Sequence, residues 1–261
     1  MSNFVTYKNA KIHYSDEGKG KTVVLLHGFL ENISMWNNLK PHLAKTHRVI
    51  SIDLLGHGQS DNIGYIHTME VMADAVNRVL KHLKINSAVV VGHSMGGYVS
   101  LALLEANPKL VKGICLMNST AIADSSEKKT NRERAIVAVK ENQKTFVSVS
   151  ISNLFRPKSR IIYKDDYKKV KREALETSVQ SIVASLEGMK IRKDRLTLFR
   201  QIAIPKMVIL GKKDSILDYK LQMSYYSNSD INVVSFPDGH MSHIENIEDF
   251  TYNIMHFIEY F

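Results

Sequence analysis

Ser94 stands in Gly92-His93-Ser94-Met95-Gly96, where the β-branched run Val89-Val90-Val91 gives way to an apolar, helix-compatible run from Val99 to Leu104. The order is strand, abrupt turn, helix. Such a reversal crowds the backbone on both sides of the turn residue, and glycine, lacking a Cβ, fits there. The pattern is that of a nucleophile elbow, G-x-S-x-G, whose strained turn holds a serine hydroxyl above a sheet edge. A plain strand-to-helix turn that happens to contain serine has the same five residues, so the elbow needs partners. A serine hydroxyl is a poor nucleophile until a base takes its proton, and the base needs a third group to orient it. Histidine suits the base role because its pKa lies near neutrality. Asp214 and His240 follow Ser94 in the order nucleophile, acid, base expected for such an elbow.

The elements that must position these residues follow from hydrophobic patterning. Val23-Val24-Leu25-Leu26, Arg48 to Ile52, Val89 to Val91, Val111 to Met117, Lys206 to Leu210 and Ile231 to Phe236 read as strands, several of them continuous apolar runs. Such runs suit strands buried on both faces of a parallel sheet. Phe4 to Tyr7 and Lys11 to Tyr14 read as two short strands around a turn at Asn9-Ala10, followed by a polar loop from Asp16 to Gly20. Helices are expected over Met35 to Leu43, from Thr68 as N-cap through Leu83, after Ser94, and from Ile244 to Tyr260. The stripe Met69, Met72, Ala73, Val76, Val79, Leu80 and Leu83 marks the second of these. Alternating strands and helices predict an α/β fold with a mostly parallel, doubly wound sheet. Ligands in such sheets bind beyond the carboxyl ends of the strands. His27, Asp53, Ser94, Asp214 and His240 each fall just after a strand, so all five are expected on one edge.

The character changes between Ala121 and Arg195. That stretch holds 18 Lys or Arg and 10 Asp or Glu, so it carries +8 of the net +9. It has few strand-like runs, and long connections in compact domains are usually functional lids. It reads as a mostly helical cap (121–195) inserted in a core of residues 1–120 and 196–261. No apolar run nears the roughly 20 residues of a membrane span. Met1 to Val5 shows no secretory signal. Cys115 is the single cysteine, inside an apolar run, which excludes an internal disulfide and suits a reducing cytoplasm. No cofactor- or metal-binding motif stands out, and no nucleic-acid motif accompanies the basic segment.

Taken together, His27-Gly28-Phe29, Asp53-Leu54-Leu55-Gly56-His57-Gly58-Gln59-Ser60, Gly92-His93-Ser94-Met95-Gly96-Gly97, Gly211-Lys212-Lys213-Asp214 and Gly239-His240 resemble the α/β-hydrolase fold superfamily. They span almost the whole chain, leaving only 121–195 unmatched. The resemblance implies the α/β-hydrolase fold, with an eight-stranded, mostly parallel sheet and an inserted helical cap. It implies Ser94 as nucleophile, Asp214 as acid and His240 as base, with no cofactor. It implies an oxyanion hole from the backbone N–H groups of Phe29 and Met95. A serine nucleophile in place of aspartate argues against the haloalkane-dehalogenase branch.

Rivals remain for each role. His243 competes with His240, and Asp218 with Asp214. His93 reads as structural, His27 and His57 as loop ties, and Asp53 as a loop-stapling carboxylate. Some relatives carry the acid after the strand before the cap, where this chain has Asn118. The expected activity is cleavage of a carboxylic ester or related acyl compound. The alternatives are carbon–carbon bond cleavage of an acidic substrate and a ligand-binding receptor with little turnover. The expected partner is a small acyl molecule. The basic cap reads as a solvated face or, more sharply, as a device steering anionic substrates.

Overall fold

The computed structural model describes residues 3–227, 229–259 and 261. Met1 and Ser2, part of the stretch inspected for a signal, and Tyr260, the expected end of the last helix, lie outside them. Among the described residues eight strands form one sheet: β1 Asn3–Tyr7, β2 Ala10–Glu17, β3 Thr22–Leu26, β4 Arg48–Ile52, β5 Ala88–His93, β6 Val111–Met117, β7 Lys206–Gly211 and β8 Asn232–Phe236. Their spatial order is β1-β2-β4-β3-β5-β6-β7-β8. The β1–β2 and β2–β4 pairs are antiparallel, and all others are parallel.

The continuous apolar runs become strands because helices cover both faces. Successive side chains alternate sides. Val24, Leu26, Val90, Ile114, Leu116, Val208 and Leu210 face one core. Val23, Leu25, Val89, Val91, Cys115, Met117, Met207 and Ile209 face the other. Each fully buried aliphatic side chain contributes about 1.5–3 kcal/mol, so central strands with two apolar faces are strongly held.

Helices α1 Lys40–Leu43, α2 Met69–His82 and α3 Met95–Ala106 punctuate the first six strands. Among the described residues six more, α4 Ser126–Glu141, α5 Gln143–Leu154, α6 Pro157–Ile162, α7 Lys164–Leu175, α8 Val179–Lys190 and α9 Leu196–Gln201, lie between β6 and β7. The others are α10 Tyr219–Tyr226, α11 Ser242–Glu245 and α12 Ile247–Ile258. Thr68 caps α2 by accepting from Val71 N–H at 3.1 Å, and the expected stripe from Met69 to Leu80 is buried. Among the described residues no helix is long and apolar enough to cross a membrane.

Local details differ from the sequence expectation. The β1–β2 turn is Lys8-Asn9, with Lys8 at φ 52, and Ala10 already belongs to β2. Asp16 and Glu17 extend β2 rather than forming a loop, because they pair with Ile50 and Val49. The helix expected over Met35 to Leu43 splits into a 3₁₀ turn, Ile33–Trp36, and α1. Pro41 explains the split, since it lacks an N–H and is tolerated only in a first turn. The C-terminal helix breaks at Asn246, whose φ of −141 and ψ of 45 separate α11 from α12.

Register sets the site. Leu26 pairs with Gly92, His93 with Met117, and Met117 with Ile209. The ladder continues one step beyond the strands, through Ser94 N–H to Met117 O at 2.9 Å and Asn118 N–H to Ile209 O at 2.8 Å. The chain passes from β3 to β4 on one side and returns to β5 on the other. Loops diverging at such a switch leave a crevice at the carboxyl edge.

Candidate active site

Ser94 stands at the carboxyl end of β5, partly exposed, at φ 49 and ψ −114. This is a left-handed conformation that a non-glycine residue holds at a cost of about 1–3 kcal/mol, and only where the surroundings enforce it. Here they do. A Cβ on Gly92 would come within 2.4 Å of Gly96 O, and one on Gly96 within 2.3 Å of Leu26 O. Glycine at both positions lets α3 press directly on the ends of β5 and β3. Ser119 Oγ donates to Ser94 O at 2.7 Å and secures the turn from the β6 side.

Asp214 and His240 meet on the loops after β7 and β8. His240 Nδ1 lies 2.7 Å from Asp214 Oδ2, and their side chains are 1% and 2% exposed. Oδ1 of the same carboxylate accepts Ile216 N–H at 2.8 Å and Leu217 N–H at 3.1 Å. Burial, the largest single influence, pushes the Asp214 carboxyl up. The adjacent His240 ring and the two backbone donors outweigh it and hold the carboxyl below the usual range. With Nδ1–H given to the carboxylate, His240 Nε2 is the nitrogen left free to take a proton.

The rival residues are engaged elsewhere. Asp218 caps α10, accepting Leu221 N–H at 2.8 Å. His243 is buried on α11, its ring 5.5 Å from His93 and 6.4 Å from Trp36. Burial pushes its pKa down to about 3, so it is neutral. Cys115 is fully buried, and burial raises its thiol pKa, which makes it an inert part of the core.

Met95 directly follows the serine, and Phe29 lies on the loop after β3. Met95 opens α3, whose N-terminal dipole favours negative charge. A Cβ on Gly28 would lie 3.2 Å from Ser94 Cβ, so the β3 loop is in contact with the elbow. The Gly28–Phe29 peptide is held by its carbonyl, which accepts from His27 Nδ1 at 2.7 Å. The trans peptide then turns Phe29 N–H to the opposite side. His27 Nε2 accepts Leu54 N–H at 2.9 Å, which fixes the neutral Nδ1–H tautomer. His57 is likewise neutral, its pKa pushed down to about 3 by burial first and by His27 next.

Asp53 ties three segments together. Oδ1 accepts Ile33 N–H at 2.8 Å, and Oδ2 takes Gln59 N–H at 2.9 Å and His13 Nδ1 at 2.7 Å. Replacing Asp53 by alanine removes the acceptor of all three, the buried His13 Nδ1–H among them, so stability is expected to fall by about 3 kcal/mol. The matching Tm loss is about 10 °C, and a shift below about 2 °C in a thermal melt would remove Asp53 from this role. Among the described residues no group of three or more His, Cys, Asp or Glu side chains is arranged to hold a metal ion.

Two residues at this site were not read from the sequence in the part they play. Asn118, at φ 42, donates through Nδ2 to Asp214 Oδ2 at 3.2 Å and to Gly239 O at 3.1 Å. Glu31 accepts Gly28 N–H at 2.7 Å. No local pattern marks either one; a polar residue just past a strand end is the only available signal, and it applies to Asn118 alone.

The helices between β6 and β7 touch the loops that carry these residues. Arg156 pairs with Asp238, two positions before His240, and Ser215, next to Asp214, donates to Asn153 O. Glu173 accepts from Ser34 Oγ at 2.6 Å. Part of the positive charge is paired. Arg132 and Arg192 both pair with Asp124, and Arg195 bridges Glu70 and Glu105.

Comparison with known proteins adds relatives to this geometry. A family profile described as alpha/beta hydrolase fold matches residues 21–247. The chain is 28% identical to the 2-hydroxy-6-oxononadienedioate/2-hydroxy-6-oxononatrienedioate hydrolase of Paraburkholderia xenovorans, over 98% of this chain and 95% of that protein. It is 27% identical, over 92% of its own length, to the dihydrolipoyllysine-residue acetyltransferase component of the acetoin cleaving system of Pseudomonas putida, but spans only 64% of that protein. Among solved structures, a thermophilic esterase from Thermogutta terrifontis superposes with a TM-score of 0.92 at 28% identity, covering 99% of this chain and 98% of that one.

Proposed function

The chain belongs to the α/β-hydrolase fold family, and from that premise we propose that it is a serine hydrolase cleaving a carboxylic ester or related acyl compound through an acyl-enzyme on Ser94. The observation that carries this reading is the buried 2.7 Å contact between His240 Nδ1 and Asp214 Oδ2, on the sheet edge where Ser94 is held at φ 49. Ser94 Oγ attacks the acyl carbon while His240 Nε2 takes its proton. Asp214 stabilises the imidazolium that results. The N–H groups of Phe29 and Met95 receive the oxyanion, each donor lowering the barrier by about 3–4 kcal/mol. His240 returns the proton to the leaving alcohol. It then activates a water that releases the acid and frees Ser94.

In this reading residues 1–120 and 196–261 form the catalytic core, and 121–195 are the lid that shapes the substrate site. The substrate is a small molecule, and the buried lone cysteine suits a reducing compartment such as the cytoplasm. A p-nitrophenyl ester tests the chemistry. The expected result is a stoichiometric burst of nitrophenolate with the acyl group on the peptide carrying Ser94. An acyl group on another residue, or binding with no burst, would overturn it.

A second reading is favoured by likeness to the Paraburkholderia hydrolase. The compound in that name has two carboxylates and a 6-keto group but no ester. Hydrolysis must then break the carbon–carbon bond beside the ketone. The basic segment would suit such a dianion. If it steers substrates, kcat/KM for an anionic ester is expected to fall severalfold between low salt and about 0.5 M salt, with a neutral ester unaffected. Equal salt responses would reduce the segment to a solvated face. A panel of esters, thioesters and 6-oxo-dienoates separates the two readings.

A further inference from the structure

Behind the elbow lies a pair of ionisable side chains that no step above uses. Glu31 and His93 have side chains 3% and 1% exposed, with His93 Nδ1 2.7 Å from Glu31 Oε2. The same Oε2 accepts Gly28 N–H at 2.7 Å. On its far side His93 Nε2 meets the backbone carbonyl of His240 at 3.1 Å. A carboxylate and a carbonyl both accept, so the ring donates from both nitrogens and is an imidazolium. Glu31 keeps its carboxyl at about 2 against the upward push of burial, chiefly through the His93 charge. The other rings around His93 are His240 at 5.1 Å and His243 at 5.5 Å, the latter held neutral.

The connection runs between the two loops that chemistry at Ser94 depends on. Glu31 closes the turn Gly28–Glu31 through its own N–H to Gly28 O at 3.3 Å, with Phe29 and Leu30 at the centre and Leu30 at φ 63. A turn with a bulky residue in the left-handed region persists only when something clamps it. The Glu31 carboxylate on Gly28 N–H is that clamp. His93 carries the clamp across to the backbone of the base loop, and it is the residue immediately before Ser94. Gly28 fits between these groups without space to spare, since a Cβ there would lie 2.5 Å from Glu31 Oε2 and 2.8 Å from His93 Nδ1.

We propose that Glu31 and His93 are positioning residues that lock the Phe29 loop to the His240 backbone, so that oxyanion donor, serine and base keep one spacing. The inference rests on the serine mechanism above. It makes reach, rather than charge, the property of Glu31 that matters. A carboxylate withdrawn by one methylene no longer spans from Gly28 N–H to His93. A glutamine keeps that reach, its oxygen in the place of Oε2 accepting from both Gly28 N–H and His93 Nδ1–H while His93 Nε2–H still meets His240 O.

Glu31→Asp and Glu31→Gln therefore separate the roles. With p-nitrophenyl acetate, Glu31→Asp is expected to lose about 30-fold or more in kcat, in the range for an impaired oxyanion donor, with KM within about threefold. Glu31→Gln is expected to stay within about fivefold of the wild type in kcat. The rate of Ser94 labelling by a fluorophosphonate should rank the three proteins in the same order. Thermal melts of both variants establish that each is folded. Glu31→Asp at wild-type kcat, or Glu31→Gln losing more than Glu31→Asp, would overturn the positioning role while leaving the serine mechanism intact. Undiminished turnover in Ser94→Ala would overturn both.

Discussion

Replacing Ser94 by alanine is expected to lower kcat by about 10⁴-fold or more while leaving the fold unchanged. The hydroxyl is the only atom lost, and the turn keeps Met117 O, Ser119 Oγ and Gly97 N–H as its partners through the Ser94 backbone. Alanine inherits the strain of φ 49, so its Tm should match the wild type. Glycine does not inherit it. Ser94→Gly relieves about 1–3 kcal/mol of strain and gives back part of it as extra freedom of the unfolded chain. The expected net gain is about 1 kcal/mol, or a rise in Tm of about 2–4 °C, in a protein as inactive as the alanine variant. Turnover of p-nitrophenyl acetate and a thermal melt of both variants check this. A glycine variant that melts below the alanine variant would mean that the elbow stores no strain. An alanine variant within tenfold of wild-type kcat would remove Ser94 from the chemistry.

Asp214→Asn is the second large effect, with an expected loss of about 10⁴-fold in kcat. Oδ1 of Asp214 accepts from Ile216 and Leu217 N–H, so the oxygen of an asparagine is drawn to those donors. Its amide then faces His240 Nδ1, which must accept, and the ring proton moves to Nε2. That nitrogen can no longer take the proton of Ser94. The same amide also meets Asn118 Nδ2, which stands 3.2 Å from Oδ2 in the wild type, donor against donor. Circular dichroism should be unchanged and KM little altered. Activity within tenfold of the wild type would show that His240 does not depend on Asp214. The lowered carboxyl also sets a direction for pH. A group whose folded pKa is below its unfolded value near 4 gives stability that is complete above that value and is lost as the pH falls toward the folded one. Asp214, Asp53 and Glu31 all share this sign, so acid unfolding should be steep below about pH 4.

The strands were legible because each central run is apolar on both faces, and only a sheet covered by helices on both sides satisfies that pattern. The α2 helix was legible from Thr68 and a stripe at helical spacing. The break at Pro41 was equally available, since proline announces where a helix can begin. The break at Asn246 was not, because asparagine is tolerated within helices and outside them.

The sequence by itself determined where the strands and helices fall along the chain and which polar residues follow a strand. A parallel sheet sends every strand end to one edge, so Ser94, Asp214 and His240 had to share it. Only the tertiary structure decided what those residues touch. Asn118 reaches Asp214 across 96 positions, and Glu31 reaches His93 across 62. Neither contact has a period or a motif, since each is a single hydrogen bond between segments distant in sequence whose approach is set by register and by glycines at 28, 92 and 96. Hydrophobic periodicity is a repeated, local signal that many residues share. A buried hydrogen bond between two loops is made once, by two residues, after the sheet has brought them together.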